Sequence, residues 1–186
     1  MAKYELGAVY KINADNETVY YVRLLELDCY GVFAPFEGDI CEETLSKTPY
    51  RLYFVCNSFA VKRGIWEKVL SSPNSKDIAR WQSPDLASYG NFNPKLFVEQ
   101  HCVYHKGNRY KLEKEQFINL VKSGMINHIH NRHENIPSFL RNYYENYPNS
   151  YILEKVWFQS GTIDAQKETL DTLNEMGFDT TKLLEI

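Results

Sequence analysis

Thr18-Val19-Tyr20-Tyr21-Val22-Arg23-Leu24-Leu25-Glu26-Leu27 decides the fold. Its β-branched and aromatic residues suit a pleated, half-buried surface better than a helix. A turn sequence, Ala14-Asp15-Asn16-Glu17, stands just before it. Further upstream, Leu6, Ala8, Tyr10 and Ile12 alternate with more polar neighbours across residues 4–12, which is the period of a strand with one buried face. The two runs together predict a β-hairpin.

Downstream, residues 30–36 read as a third strand stopped near Pro35, and residues 50–61 as a fourth. The fourth is almost continuously apolar and so is expected in the interior of its sheet. Between them, residues 36–49 form an acidic connection carrying Glu37, Asp39, Glu42 and Glu43, which periodicity assigns neither to a short helix nor to a loop. Residues 71–94 hold Pro73, Pro84, Gly90 and Pro94 among Ser, Asn and Asp, an irregular excursion anchored by Trp81. Residues 95–104 resume as a strand, and His105-Lys106-Gly107-Asn108 turns the chain into Arg109-Tyr110-Lys111-Leu112.

Helical signals follow. Leu112 and Phe117 have the spacing of a hydrophobic staple around a start at Glu113; Phe117, Leu120 and Val121 share a face, and Gly124 ends the helix with Met125 packing back. Pro137 suits the first turn of a second helix carrying Phe139, Leu140, Tyr143 and Tyr144, terminated by Pro148. A short strand is expected over residues 151–158. Thr162 then caps a last helix with Ile163, Leu170, Leu173 and Met176 inward, closed by Gly177 and Phe178. The prediction is an α+β fold in one domain, 1–186, with residues 1–112 mainly β and 113–186 mainly α: a twisted, mostly antiparallel sheet packed with C-terminal helices.

With 44% apolar and 24% charged residues the chain lies outside the range of disordered sequences. A formal net charge of -3 argues against a dedicated nucleic-acid binder, whose affinity would come from cations on phosphates, and favours a basic partner. Aromatic residues make up 15% of the chain, many of them tyrosines suited to a sheet face or an interface. The opening residues lack a signal-peptide pattern and no run approaches the roughly 18 apolar residues of a membrane span, so a cytoplasmic location is expected. Cys29, Cys41, Cys56 and Cys102 show no C-x-x-C pair and read as reduced thiols.

Four groups of residues could carry function. His128, His130 and His133 could serve a metal-assisted hydrolase with an unidentified carboxylate, although their spacing lacks the i, i+4 pairing of metalloprotease helices. Cys102 with a histidine would need a thiolate-stabilising environment that an apolar strand does not supply. Glu26, Glu37, Asp39, Glu42 and Glu43 form either a solvated acidic surface or a docking patch that steers a basic partner. Tyr20, Tyr21 and Tyr30 could stack nucleic-acid bases, but Arg23 alone supplies positive charge beside them. No phosphate-binding glycine loop is present, and no cofactor is expected.

Gly7-Ala8-Val9-Tyr10-Lys11-Ile12, a short turn and Tyr20-Tyr21-Val22-Arg23-Leu24-Leu25 resemble the opening of the immunity protein 26 family. The resemblance continues through Tyr30-Gly31-Val32-Phe33-Ala34-Pro35-Phe36, the strand before Ala60, Gly64-Ile65-Trp66, Pro94 and Phe97. It implies a bacterial protein that binds and neutralises a cognate toxin by occluding its surface, with no catalytic residue or metal. Glu37, Asp39, Glu42 and Glu43, with Tyr30 and Trp66, are the expected partner-binding residues.

Overall fold

The computed structural model describes residues 4–15, 17–88, 102–106, 108–157 and 163–181. In chain order the first elements are β1 (Val9–Asn13), β2 (Val19–Leu24), β3 (Cys29–Phe33), α1 (Glu42–Lys47), β4 (Tyr50–Cys56), α2 (Phe59–Arg63) and β5 (Glu67–Leu70). β6 (Leu86–Ala87), β7 (Cys102–His105), β8 (Asn108–Lys111), α3 (Lys114–Lys122), β9 (His128–His130), α4 (Ile136–Tyr143), α5 (Asn149–Trp157) and α6 (Ile163–Glu175) follow. The fold is α+β. The chain divides into two compact units, Met1–Pro84 with Asn127–Glu145 and Asp85–Ile126 with Asn146–Ile186. Among the described residues no helix is long and apolar enough to cross a membrane.

The predicted hairpin opens the first unit. Asp15 makes its turn by accepting the backbone N–H of Glu17 at 3.0 Å and of Thr18 at 2.7 Å, an Asx turn. β1 and β2 then pair antiparallel with Tyr10 opposite Val22 and Ile12 opposite Tyr20. The full sheet runs β5-β1-β2-β3-β4-β9, antiparallel except for the parallel pair of β4 and β9.

Side chains alternate across a strand, so Tyr10, Ile12, Tyr20, Val22, Leu24, Tyr30, Val32 and Phe54 share one face, and all are buried. Tyr144, which caps α4, and Trp66 lie on that face: Tyr144 meets Tyr20 at 4.8 Å and Trp66 meets Tyr30 edge-on at 5.2 Å between centroids. The opposite face is covered in part, where Val9 and Phe33 pack with Leu45 of α1. Covering on both sides explains why every residue of β3 is buried, Gly31 included.

One expectation changes here, and one strand is added that the sequence did not suggest. The strand over 50–61 ends at Cys56, because the Asn57 side chain accepts the Phe59 N–H at 3.1 Å and turns the chain into α2, which stops at Gly64 with φ +69°. Ala60 and Val61 are therefore helical and buried. β5 lies at the sheet edge beside β1, carries Glu67 and Lys68 outward, and gives no apolar alternation to read.

Among the described residues, the second unit holds the antiparallel sheet β6-β7-β8 and the helices α3, α5 and α6. The turn predicted at residues 105–108 joins β7 to β8, with His105 paired opposite Asn108. Gly124 ends α3 at φ +81°, and Gly177 follows α6 at φ +78° with Phe178 buried behind it. The strand expected over 151–158 is instead α5: Tyr151 and Ile152 have strand propensity, but the N–H of Ile152 donates to the Pro148 carbonyl at 3.0 Å and starts a helical ladder. Pro148, which has no N–H to lose, therefore precedes a helix rather than only ending one. The expected strand before Cys102 and the Thr162 cap lie outside the described residues.

Candidate functional site

Arg23 is the one charge in β2, and its side chain is 4% exposed. A buried guanidinium needs a carboxylate to offset its desolvation. Glu42 supplies it: Arg23 Nη1 donates to Oε1 at 3.2 Å and Nη2 to Oε2 at 2.8 Å. Arg80 adds a third bond, from Nη2 to Glu42 Oε1 at 2.8 Å. The Trp81 ring lies 5.0 Å from the Arg23 guanidinium and 4.7 Å from that of Arg80, close enough for cation–π attraction. This clamp fastens α1 and the Trp81 loop to β2, and it uses up the Glu42 carboxylate.

The other acidic residues stand differently. Glu43 is exposed and pairs with Lys47 at 3.0 Å, one helical turn away. Glu37 and Asp39 are exposed, flank Gly38, and join no ion pair among the described residues. Tyr30 and Trp66 are 0% and 4% exposed. They are core rings, and their expected role in partner contact is corrected by that burial. Both rings pack against Phe54 in the core.

A groove of about 580 Å³ opens beside the acidic segment. Tyr20, Tyr21, Phe36 and Tyr144 give it aromatic walls, and Asp39 and Glu145 stand at its lining. The Tyr144 hydroxyl donates to the Phe33 carbonyl at 2.7 Å, and Tyr21 packs against Phe36 at 5.8 Å between centroids. Arg51 holds the far wall by donating to the carbonyls of Tyr144 at 3.3 Å and Glu145 at 2.8 Å. Burial pushes the Tyr144 hydroxyl up to about 12, and the neighbouring Glu145 charge adds to the rise. Burial also raises Tyr20, followed by the charges of Glu145 and Asp15. Glu145 was not singled out from sequence and Tyr144 was read only as part of a helix's apolar face, since they meet the groove only through the fold.

No family model, curated protein or solved structure matches this chain.

The histidines are not brought to one point. His128 and His130 lie on one face of β9, both against Phe139, at 4.9 Å and 4.7 Å between ring centroids. His133 lies beyond the strand, with its ring 5.4 Å from Phe59 and Nδ1 3.3 Å from Glu134 Oε2. Among the described residues no three His, Cys, Asp or Glu side chains form a group able to hold a metal ion. Burial drives His128 well below the ordinary histidine value and His130 to about 4, so both are neutral near pH 7. Cys29 and Cys56 are buried free thiols, each pushed up to about 11 by burial. Within the second unit, His105 Nδ1 and the Tyr110 hydroxyl both bond to the Asp85 carboxylate, tying together the strands of the small sheet.

Proposed function

We propose that this chain is an immunity-type protein that binds a cognate bacterial toxin and neutralises it by covering the toxin's surface. The observation that carries the reading is the acidic segment: the Glu42 clamp holds it on the sheet while Glu37 and Asp39 stay exposed and outside any ion pair among the described residues. Carboxylates presented in this way attract and orient a basic surface. The aromatic groove next to them supplies rigid, amphipathic contact area of the kind that anchors protein interfaces. A net charge of -3 has the sign that suits a basic nuclease-type toxin domain. The resemblance to the immunity protein 26 family points the same way, and such a role requires no catalytic residue. A bacterial cytoplasmic location belongs to this reading.

The test is calorimetry and a toxicity assay with the toxin domain encoded beside the gene. A one-to-one complex that abolishes toxicity is expected. The double reversal Glu37→Lys/Asp39→Lys should weaken it by about 100-fold, since like charges now face each other. A failure to bind the toxin domain, or full affinity in the reversed variant, would remove the reading.

A further inference from the structure

Building on the toxin-binding reading above, we propose that the groove beside the acidic segment receives an arginine side chain of the partner. Its volume of about 580 Å³ exceeds what a single side chain fills, so it can admit a guanidinium together with some of the segment that bears it. Tyr20 and Tyr144 pack edge-to-face at 4.8 Å and form a buried floor, while Tyr21 with Phe36 forms a second, partly exposed ring pair. Electron-rich ring faces attract a cation.

The charges select the same occupant. Asp39 and Glu145 are both exposed at the groove and in no ion pair among the described residues. An apolar side chain would strip water from these carboxylates without replacing it, and an anion would be repelled. Positive charge already present does not satisfy them: Arg51 is committed to the backbone carbonyls of Tyr144 and Glu145. Arginine fits better than lysine because its flat guanidinium can stack on a ring while its N–H groups reach carboxylates and carbonyls at the rim.

The probe is the peptide Ac-Gly-Arg-Gly-NH2, titrated into the full chain and followed by NMR of the tyrosine ring resonances. Citrulline in place of arginine keeps the shape and removes the charge. Saturable shifts of the Tyr20, Tyr21 and Tyr144 rings are expected with the arginine peptide. Binding should weaken by about 10-fold with citrulline, as the loss of a cation–π contact and exposed ion pairs requires. Asp39→Asn/Glu145→Gln should give a similar loss, and these exposed isosteric changes leave the core intact. Equal binding of the two peptides, or unchanged binding to the double variant, would overturn the proposal. The same variant against the toxin domain separates the two readings. Full toxin affinity there sinks the arginine pocket and keeps the immunity role; arginine-selective binding of the peptide by a chain that ignores the toxin keeps the pocket and sinks the immunity role.

Discussion

Gly31 sits in β3 opposite Tyr53, with the Tyr50 ring laid across it. A Cβ there would come within 2.6 Å of that ring. Both faces of β3 are buried, so the ring has little room to yield. Gly31→Ala should cost about 1–3 kcal/mol, the usual penalty of overpacking, seen as a lower urea midpoint with an unchanged slope. Gly7 combines the same crowding, against Trp81, with φ +82°, so Gly7→Ala should cost at least as much by the same measurement.

Arg23 carries a second residue-scale prediction. Glu42→Gln leaves a buried guanidinium without its counter-charge, although Glu42 itself is 28% exposed. The expected cost lies between the ~1 kcal/mol of an exposed pair and the ~3 kcal/mol of a buried one. Replacing exposed Glu37 by Gln should leave the urea midpoint within about 0.5 kcal/mol of the parent. Thiol labelling offers a third check. Hydrogen bonds from Thr44 lower the Cys41 thiol, whereas burial raises Cys29 and Cys56. Since the thiolate is the reactive form, Cys41 should react with a thiol reagent at pH 7.5 before either buried cysteine, as peptide mapping after partial labelling would reveal.

At the scale of elements, β9 makes stability depend on pH. In the unfolded chain His128 and His130 would titrate near the free value of about 6.5; in the folded chain burial lowers both, His130 to about 4. Their depressed values mean that the unfolded state binds the extra protons. Stability from these groups is full above pH 6.5 and falls as pH drops below it, by up to about 1.4 kcal/mol per pH unit for each histidine. For His130 the loss levels off near pH 4. Urea midpoints measured from pH 7.5 to 4.5 should trace this decline, and His130→Leu should flatten it.

The elements also explain what sequence could reveal. The β1–β2 hairpin was legible because alternation and an Asx turn are local, and α4 was legible from Pro137 and a strong apolar face. α5 was misread because Tyr151 and Ile152 favour strands, while the Pro148 and Asn146 carbonyls that begin its ladder have no compositional mark. In the candidate site, the exposure of Glu37 and Asp39 followed from their acidic loop. The fate of Glu42 did not, because its partners lie 19 and 38 positions away. A lone arginine inside an apolar strand was the available signal that a distant carboxylate had to exist.

For the whole molecule, the proposed toxin-binding role combined with a net charge of -3 and exposed carboxylates predicts that association is electrostatically steered at long range. Stopped-flow mixing with the toxin domain should show an association rate that falls by about 10-fold between 50 and 500 mM salt, with dissociation far less affected. An association rate indifferent to salt would count against steering by this surface.

β9 pairs with β4 from far along the chain, Cys56 lying beside His130, after the segment from Asp85 to Ile126 has been given to the other unit. During synthesis this imposes a delay. At ribosomal rates of about 5–20 residues per second, β4 emerges with its outer edge unpaired for several seconds before the strand that covers it. A nascent chain halted at Pro84 would display an open strand edge, which is a surface for chaperones or for another copy to occupy, and the arrival of three residues, His128-Ile129-His130, ends that exposure.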